Sequence, residues 1–140
     1  MIAPPSAGSQ EYVGDPRNDD VFISVNGELV RRPDAKISVF DSGFVLGDGV
    51  WEGLRLYDGR VAFLDKHLDR LWAGAKMLCI DIGLTREQLT QRVFDAFDAN
   101  NMRDGVHARL MVTRGVKRSP YQDPRLTVGK ATIVIIPEWK

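Results

Sequence analysis

The sequence predicts an α+β domain in which an antiparallel sheet carries two helices on one face. In short segments separated by the turn dipeptides Asn26-Gly27 and Asp58-Gly59, apolar residues occupy every second position, which is typical of β-hairpins. Between residues 64 and 100 the apolar spacing changes to about 3.6 residues, which indicates helices. Strand-like alternation returns after residue 105. Strands, then helices, then strands, joined mainly by short turns, favour the α+β class.

The composition indicates one globular domain without a strong field of either sign. The 140 residues include 19 basic and 19 acidic side chains, and 44% of all residues are hydrophobic. Balanced charge argues against general attraction to nucleic acid or anionic membranes, and no apolar run approaches the roughly 20 residues that span a bilayer. Cys79 has no partner for an internal disulfide, and the two histidines lack metal-type spacing. We therefore expect a cytoplasmic protein with no metal site, no nucleic-acid partner and no membrane partner.

The chain is expected to begin with an arm and a hairpin. Residues 1–20 are rich in Pro, Ser, Gly, Asn and Asp, with little to bury, so a flexible N-terminal arm is expected there. Residues 21–140 are expected to form one domain. Residues 21–25 alternate as a strand, and residues 28–31 are expected to return as its antiparallel partner.

Residues 40–64 carry the most local information. Four glycines lie among apolar residues, which predicts a loop whose backbone approaches a neighbour closely. Residues 50–57 then alternate as a strand, and residues 61–64 are expected to return after the Asp58-Gly59 turn. The four glycines are Gly43, Gly47, Gly49 and Gly53.

Two helices and two further strands are expected after this hairpin. The first helix is amphipathic and runs from Leu64 to Cys79, and the second follows Thr85, an N-cap that forms a capping box with Gln88. Residues 106–113 alternate as a strand, and the β-branched run at residues 131–136 predicts a buried strand. A polar connection is expected between these two strands.

Three motifs, taken in order, resemble a known enzyme family. Residues 40–44 and 47–53 read Phe-Asp-Ser-Gly-Phe and Gly-Asp-Gly-Val-Trp-Glu-Gly, residues 67–71 read His-Leu-Asp-Arg-Leu, and residues 112–115 read Val-Thr-Arg-Gly. From about residue 21 to the last residue, the chain resembles the N-terminal half of the class IV pyridoxal-phosphate aminotransferases. That family includes branched-chain and D-amino-acid aminotransferases, R-selective amine transaminases and aminodeoxychorismate lyase.

The resemblance implies a function for the complete enzyme. It implies amino-group transfer between an amino acid or primary amine and an α-keto acid, with pyridoxal 5'-phosphate as cofactor. It also implies the small N-terminal domain of the fold type IV architecture. A lyase of the aminodeoxychorismate type is the enzymatic alternative, and a non-catalytic domain for binding or assembly is the other.

Arg70 is the expected cofactor-binding residue. It lies on the flank of the first amphipathic helix, and Gly74 one turn later leaves room beside a planar cation suited to phosphate. By spacing alone, an arginine whose stem covers the core edge is the more common case. The resemblance favours the phosphate role, because the family uses the arginine of this motif for the cofactor phosphate.

Trp51, Gly53 and Arg55 are expected to share one face of the outgoing strand, with Glu52 on the other. The resemblance implies that an aromatic residue at the position of Trp51 lines the substrate pocket and that Gly53 allows a close approach. Family members often carry Tyr or Phe at that position. The alternatives are that Trp51 fills the core and that Arg55 and Glu52 form a weak surface pair.

His107 and Arg109 share a face of the later strand, and a buried arginine there needs an acidic partner. The resemblance to the branched-chain group implies that Arg109 recognises an acidic group of the substrate, although His107 stands where that group has an aromatic residue. A structural pair of Arg109 with Asp48 or Glu52 is the alternative.

Arg118 lies one position from the substrate-binding arginine that the resemblance to the D-amino-acid group implies. A solvated basic turn is the alternative for Arg118. Arg114 is expected to be structural.

A transaminase also needs a lysine amine, and none of the six lysines lies in the family's lysine motif. The resemblance places that lysine beyond Lys140, so no catalytic residue is assigned within the chain, which alone is expected to be inactive. A truncated chain, a cleaved chain bound to a C-terminal piece and a stand-alone domain remain open. The family implies a homodimer with a pocket shared between subunits, and therefore an exposed apolar face on the isolated domain.

Overall fold

The structure is a computed structural model that describes residues 12–140, so residues 1–11 of the expected arm lie outside it. Of the rest of that arm, Pro16–Asn18 form a single 3-10 turn. The Asn18 side chain donates to the carbonyl of Trp139 and accepts from its backbone N–H, at 2.9 and 2.8 Å. This part of the arm therefore contacts the end of the last strand.

Antiparallel strands form the frame of the domain. They are β1 (Phe22–Val25), β2 (Glu28–Arg31), β3 (Gly49–Tyr57), β4 (Arg60–Val61), β5 (Val106–Thr113), β6 (Val116–Lys117), β7 (Thr127–Val128) and β8 (Thr132–Trp139). Six of them make one sheet in the order β2-β1-β8-β5-β3-β4. The Asn26-Gly27 turn joins the first two strands, and both of its residues have positive φ, as a tight hairpin requires.

Two long helices pack on the sheet, as the sequence predicts, and a short helix, α1 (Ser42–Leu46), precedes them. The helix α2 (Leu64–Met77) packs against β3, and α3 (Arg86–Ala99) packs against β1 and β8. Thr85 and Gln88 form the expected capping box. The core between helices and sheet includes fully buried side chains from both layers, among them Leu54, Leu71, Phe97, Leu110 and Ile135.

Three local features differ from the sequence prediction. The glycine loop contains α1, which begins at the Asp41 N-cap and ends at Gly47 with φ 64°. The strand expected over residues 61–64 is shorter, because β4 ends at Val61 and α2 begins at Leu64. The connection after β5 contains a third hairpin, formed by β6 and β7.

Close contacts explain why glycine occupies two positions of the loop. A Cβ atom on Gly43 would collide with Thr113 Cγ2, and one on Gly49 would lie 2.8 Å from the backbone oxygen of Val112. The loop backbone therefore approaches β5, as the glycine spacing predicts. Within the described part of the chain, no helix has the length and apolarity needed to cross a membrane.

Candidate functional site

The two faces of β3 separate the candidate residues, as the period of two predicts. Glu52 and Leu54 point toward the helices and are buried, whereas Trp51 is 58% exposed on the opposite face. Gly53 and Arg55 share the face of Trp51 and are partly buried. Because β4 pairs only with the end of β3, the edge of β3 near Trp51 is not covered by another strand of residues 12–140.

A buried carboxylate organises the other side of this strand. Glu52 Oε1 accepts from Arg70 Nε at 2.6 Å, and Glu52 Oε2 accepts from Arg70 Nη2 at 2.7 Å. Glu52 Oε2 also lies 2.7 Å from His67 Nδ1. Chiefly through the hydrogen bonds from Arg70, and also through that from His67, the pKa of the Glu52 carboxyl falls below its ordinary value, although burial opposes the shift.

This arrangement replaces the surface pair of Arg55 and Glu52 that the sequence left open. Glu52 is 3% exposed and bonds to α2 instead, so that alternative is wrong. Glu52 and His67 were not among the site residues expected from the sequence. Two features of the sequence could have indicated them: an acidic residue at an inward-facing strand position, and a histidine three residues before Arg70 on the same helix face.

Arg70, Trp51 and Gly53 line one groove between β3 and α2, with a volume of about 500 Å³. Gly74 also lines it, and a Cβ atom there would lie 3.1 Å from Val50 Cγ1. Gly74 therefore lets α2 approach β3 closely. The groove brings together the predicted cofactor-binding residue and two predicted substrate-binding residues.

His107 lies over Gly53, where a Cβ atom would be 2.9 Å from Nε2 of the imidazole. Burial lowers the pKa of His107 below its usual value, and the positive charges of Lys140, Arg109 and Arg55 lower it further, partly offset by Glu138. Arg55, His107 and Arg109 thus form a basic cluster on the open face of the sheet.

Arg109 stacks on an aromatic ring rather than pairing with an acid. Its guanidinium carbon lies 4.3 Å from the centre of the Trp51 ring, a cation–π contact. Asp48 and Glu52, the alternative partners, bond to other arginines: Arg114 Nε donates to Asp48 at 2.6 Å, and Arg70 bonds to Glu52. The structural pair proposed for Arg109 is therefore absent from residues 12–140.

Arg114 and Arg118 have different surroundings. The Arg114 guanidinium bonds to Asp48 and to the carbonyls of Leu78 and Cys79, so it connects the glycine loop to the end of α2 in a structural role. Arg118 follows β6, has an exposed side chain and does not line the groove of Arg70. Its role toward a substrate carboxylate stays a prediction.

The donors at Arg70 suit the phosphate that the resemblance implies. The side chain is 74% exposed, and its Nη1 has no hydrogen-bond partner in the described part of the chain. Since Nε and Nη2 are occupied by Glu52, the exposed guanidinium is held in one orientation, and its residue lines the groove. Phosphate oxygens are strong acceptors for a fork of this geometry. The residues present therefore fit a phosphate group.

Comparisons with known proteins show which family the chain resembles. Residues 49–136 match the family described as amino-transferase class IV. A protein of Methanocaldococcus jannaschii, provisionally named a branched-chain-amino-acid aminotransferase, is 51% identical over 114 residues, which are 81% of this chain and 38% of that protein. A D-alanine aminotransferase of Listeria monocytogenes is 38% identical over 103 residues, which are 74% of this chain and 34% of the relative.

A solved structure shows the same architecture. The branched-chain amino acid aminotransferase from Escherichia coli superposes with a TM-score of 0.73 at 25% identity, over 85% of this chain and 41% of that chain. The α+β class, with its antiparallel sheet and packed helices, is therefore confirmed. The chain spans well under half the length of these relatives.

Proposed function

Since the chain belongs to the class IV aminotransferase family, we propose that it is the N-terminal part of a pyridoxal-phosphate-dependent aminotransferase. The complete enzyme transfers an amino group between an amino acid or primary amine and an α-keto acid. The observation that carries the proposal is Arg70, an exposed guanidinium fixed by Glu52 on the wall of a groove that Trp51 also lines.

Arg70 binds the cofactor phosphate through its outer edge in this proposal. Its planar donors suit phosphate oxygens, and its guanidinium keeps its positive charge at every physiological pH. When bound, pyridoxal phosphate supplies an electron sink for the substrate carbon that loses its proton. The chain's own contribution is to bind and orient, because the lysine that the family uses is proposed to lie in the remainder of the enzyme.

The substrate lies against the open face of the sheet in this proposal. Trp51 forms an apolar wall, and Arg55 and Arg109 supply positive charge for an acidic group of the amino acid or keto acid. His107, whose pKa is lowered by burial, contributes an imidazole that can hydrogen-bond to the substrate. Because Arg109 stacks on Trp51, the ring and the cation hold each other in place. Arg118, in the connection after β6, is proposed to bind the substrate carboxylate.

We also propose that a C-terminal domain or chain and a second subunit complete the enzyme as a homodimer. Five apolar side chains near the glycine loop and the start of β3 are exposed, and a mostly apolar groove of about 340 Å³ runs between Phe44, Trp51 and Val134. An apolar surface of this kind favours burial against another protein surface. The five are Ile37, Val39, Phe40, Phe44 and Trp51.

The test is borohydride reduction of the purified complete protein followed by intact-mass measurement, which fixes a lysine-bound cofactor covalently. A pyridoxyl-phosphate mass increment, together with keto-acid formation from a branched-chain amino acid or D-alanine, supports the proposal. Release of pyruvate from aminodeoxychorismate without amino transfer would instead indicate the lyase. Absence of any adduct would leave only a binding or assembly role.

The site assignment has its own test in the same protein. Arg70→Ala should weaken the binding of pyridoxal phosphate by about tenfold or more, because a charge-assisted bond to phosphate is lost. Arg86→Ala, at another exposed arginine that pairs with Asp69, serves as the matched control and should leave affinity unchanged. Unchanged affinity in Arg70→Ala would refute the assignment.

A further inference from the structure

We propose that Glu52 is a positioning residue for Arg70, and that His67 holds Glu52 in place. The three side chains are called here the Glu52 cluster. The inference rests on the function proposed above and names residues that orient the phosphate-binding arginine without touching the phosphate themselves.

The Glu52 cluster is made by one strand and one helix. Glu52 points from β3 toward α2, where His67 and Arg70 are three residues apart and therefore lie on the same helix face. The carboxylate has a donor within 2.7 Å at each oxygen, and Oε2 receives both Arg70 and His67. Neither partner can rotate away without breaking a charge-assisted bond.

The location of Glu52 argues for a role beyond stability. Its inward-facing neighbours along β3 are Leu54 and Leu56, both fully buried, so an apolar residue would suit the position. Burying a carboxylate costs free energy that its hydrogen-bond partners must offset, whereas an apolar residue has no such cost. Packing alone therefore does not explain why a carboxylate that is 3% exposed occupies this position. The carboxylate of Glu52 instead holds the guanidinium of Arg70 in one orientation.

The orientation of Arg70 follows from which of its nitrogens are occupied. Nε and Nη2 bond to Glu52, which leaves Nη1 without a partner in the described residues, and Arg70 lines the groove together with Trp51 and Gly53. A free arginine side chain samples many rotamers and would lose that freedom on binding phosphate. Glu52 removes this freedom before the ligand arrives, so the binding site is preorganised.

The bidentate pair also reduces the net charge near Arg70, which works against anion binding. Positioning and neutralisation therefore predict opposite effects for Glu52→Gln. If positioning dominates, the variant binds phosphate more weakly; if neutralisation dominates, it binds phosphate more tightly. This difference makes the proposal testable by affinity alone.

The experiment uses the complete protein that contains this chain and compares pyridoxal phosphate with pyridoxal, which lacks the phosphate. Glu52→Gln should weaken pyridoxal phosphate binding by about tenfold and change pyridoxal binding by less than about twofold. Asp69→Asn is the matched control, since it removes an acid from α2 that pairs with Arg86 and not with Arg70. Equal or tighter binding of pyridoxal phosphate by Glu52→Gln would overturn the proposal.

A double-mutant cycle separates an action through Arg70 from a direct effect. In an Arg70→Ala background, Glu52→Gln should change phosphate-dependent affinity by less than about twofold, because there is no guanidinium left to orient. A full loss in that background would overturn the proposal. The melting temperature of each cofactor-free variant is measured alongside.

If Glu52→Gln fails to fold, His67 provides the second route. His67→Leu should weaken pyridoxal phosphate binding a few-fold while pyridoxal binding is unchanged, and His67→Asn, which keeps a donor near Glu52, should restore it. Unchanged affinity in His67→Leu would then overturn the proposal. A wild-type protein that binds no pyridoxal phosphate would refute the proposed function itself. If the wild type binds it normally and the variants of the Glu52 cluster have unchanged affinity, only this inference is refuted.

Discussion

At the scale of single residues, the glycines of β3 show how the absence of a side chain lets neighbouring atoms approach the strand closely. Gly49 and Gly53 both pair with residues of β5, yet a Cβ atom at each would meet a different neighbour. A Cβ on Gly49 would approach the backbone oxygen of Val112, whereas a Cβ on Gly53 would approach the end of the His107 side chain. Backbone moves only with its strand, but an imidazole rotates.

We therefore expect Gly49→Ala to destabilise the protein more than Gly53→Ala. Overpacking a close contact costs about 1–3 kcal/mol, and the larger value applies where backbone must shift. Urea unfolding of both variants measures the difference. Gly53→Ala should instead move His107 and change the pH dependence of stability. Equal losses in the two variants would show that the strands absorb the Gly49 contact easily.

The titration of His107 gives a second prediction at this scale. Burial and the nearby cations hold its pKa below the ordinary value of 6.5, so the unfolded chain takes up this proton first as the pH falls. Stability should therefore decrease as the pH falls from about 6.5 through the lower pKa of the folded protein. His107→Asn should flatten this slope in unfolding experiments between about pH 7 and pH 5. An unchanged slope would assign the effect to other groups.

At the scale of secondary-structure elements, the beginning of α3 is defined by local chemistry. Thr85 Oγ1 accepts from the backbone N–H of Gln88 at 3.1 Å, and the Gln88 side chain accepts from the backbone N–H of Thr85 at 2.9 Å. These reciprocal bonds satisfy two donors that the first helical turn leaves open.

Thr85→Ala should lower the free energy of unfolding by about 1 kcal/mol, because the Gln88 N–H loses its acceptor. Thr90→Ala is the matched control, since it makes the same chemical change inside α3, where alanine has the higher helix propensity. It should be neutral or slightly stabilising. A loss of similar size in both variants would indicate that threonine packing, not the cap, is responsible.

At the scale of the whole molecule, exposed apolar side chains gather near the glycine loop. Phe44 is 71% exposed and lines the apolar groove with Trp51 and Val134. The sequence predicted such a face because the resemblance implied a pocket shared between subunits. Burying it against another protein surface would gain free energy in proportion to the apolar area removed from water.

Phe44→Ser should reduce the self-association of the chain, as measured by sedimentation velocity over a range of concentrations. The substitution removes an exposed ring, so the stability of the monomer should change by less than about 0.5 kcal/mol. Tyr121→Ser is the matched control, because Tyr121 is similarly exposed at 70% but does not line that groove. Equal effects of the two substitutions would argue against a specific interface.

Local signals in the sequence determined much of the fold. Turn dipeptides with positive φ located the hairpins β1–β2 and β3–β4, and the change of period located the helices α2 and α3. Thr85 and Gln88 indicated where α3 begins. These features depend on residues close in sequence, which is why they are readable without a structure. The alternation along β3 and β5 likewise gave the face to which each side chain points.

Only the tertiary structure decided which of these side chains meet. Glu52 was readable as a residue of one strand face, but its bonds to His67 and Arg70 exist because α2 packs on that face. The contact of Arg109 with Trp51 depends on the register between β5 and β3. Contacts between residues distant in sequence are set by packing and register, and neither is encoded in any short stretch of the chain.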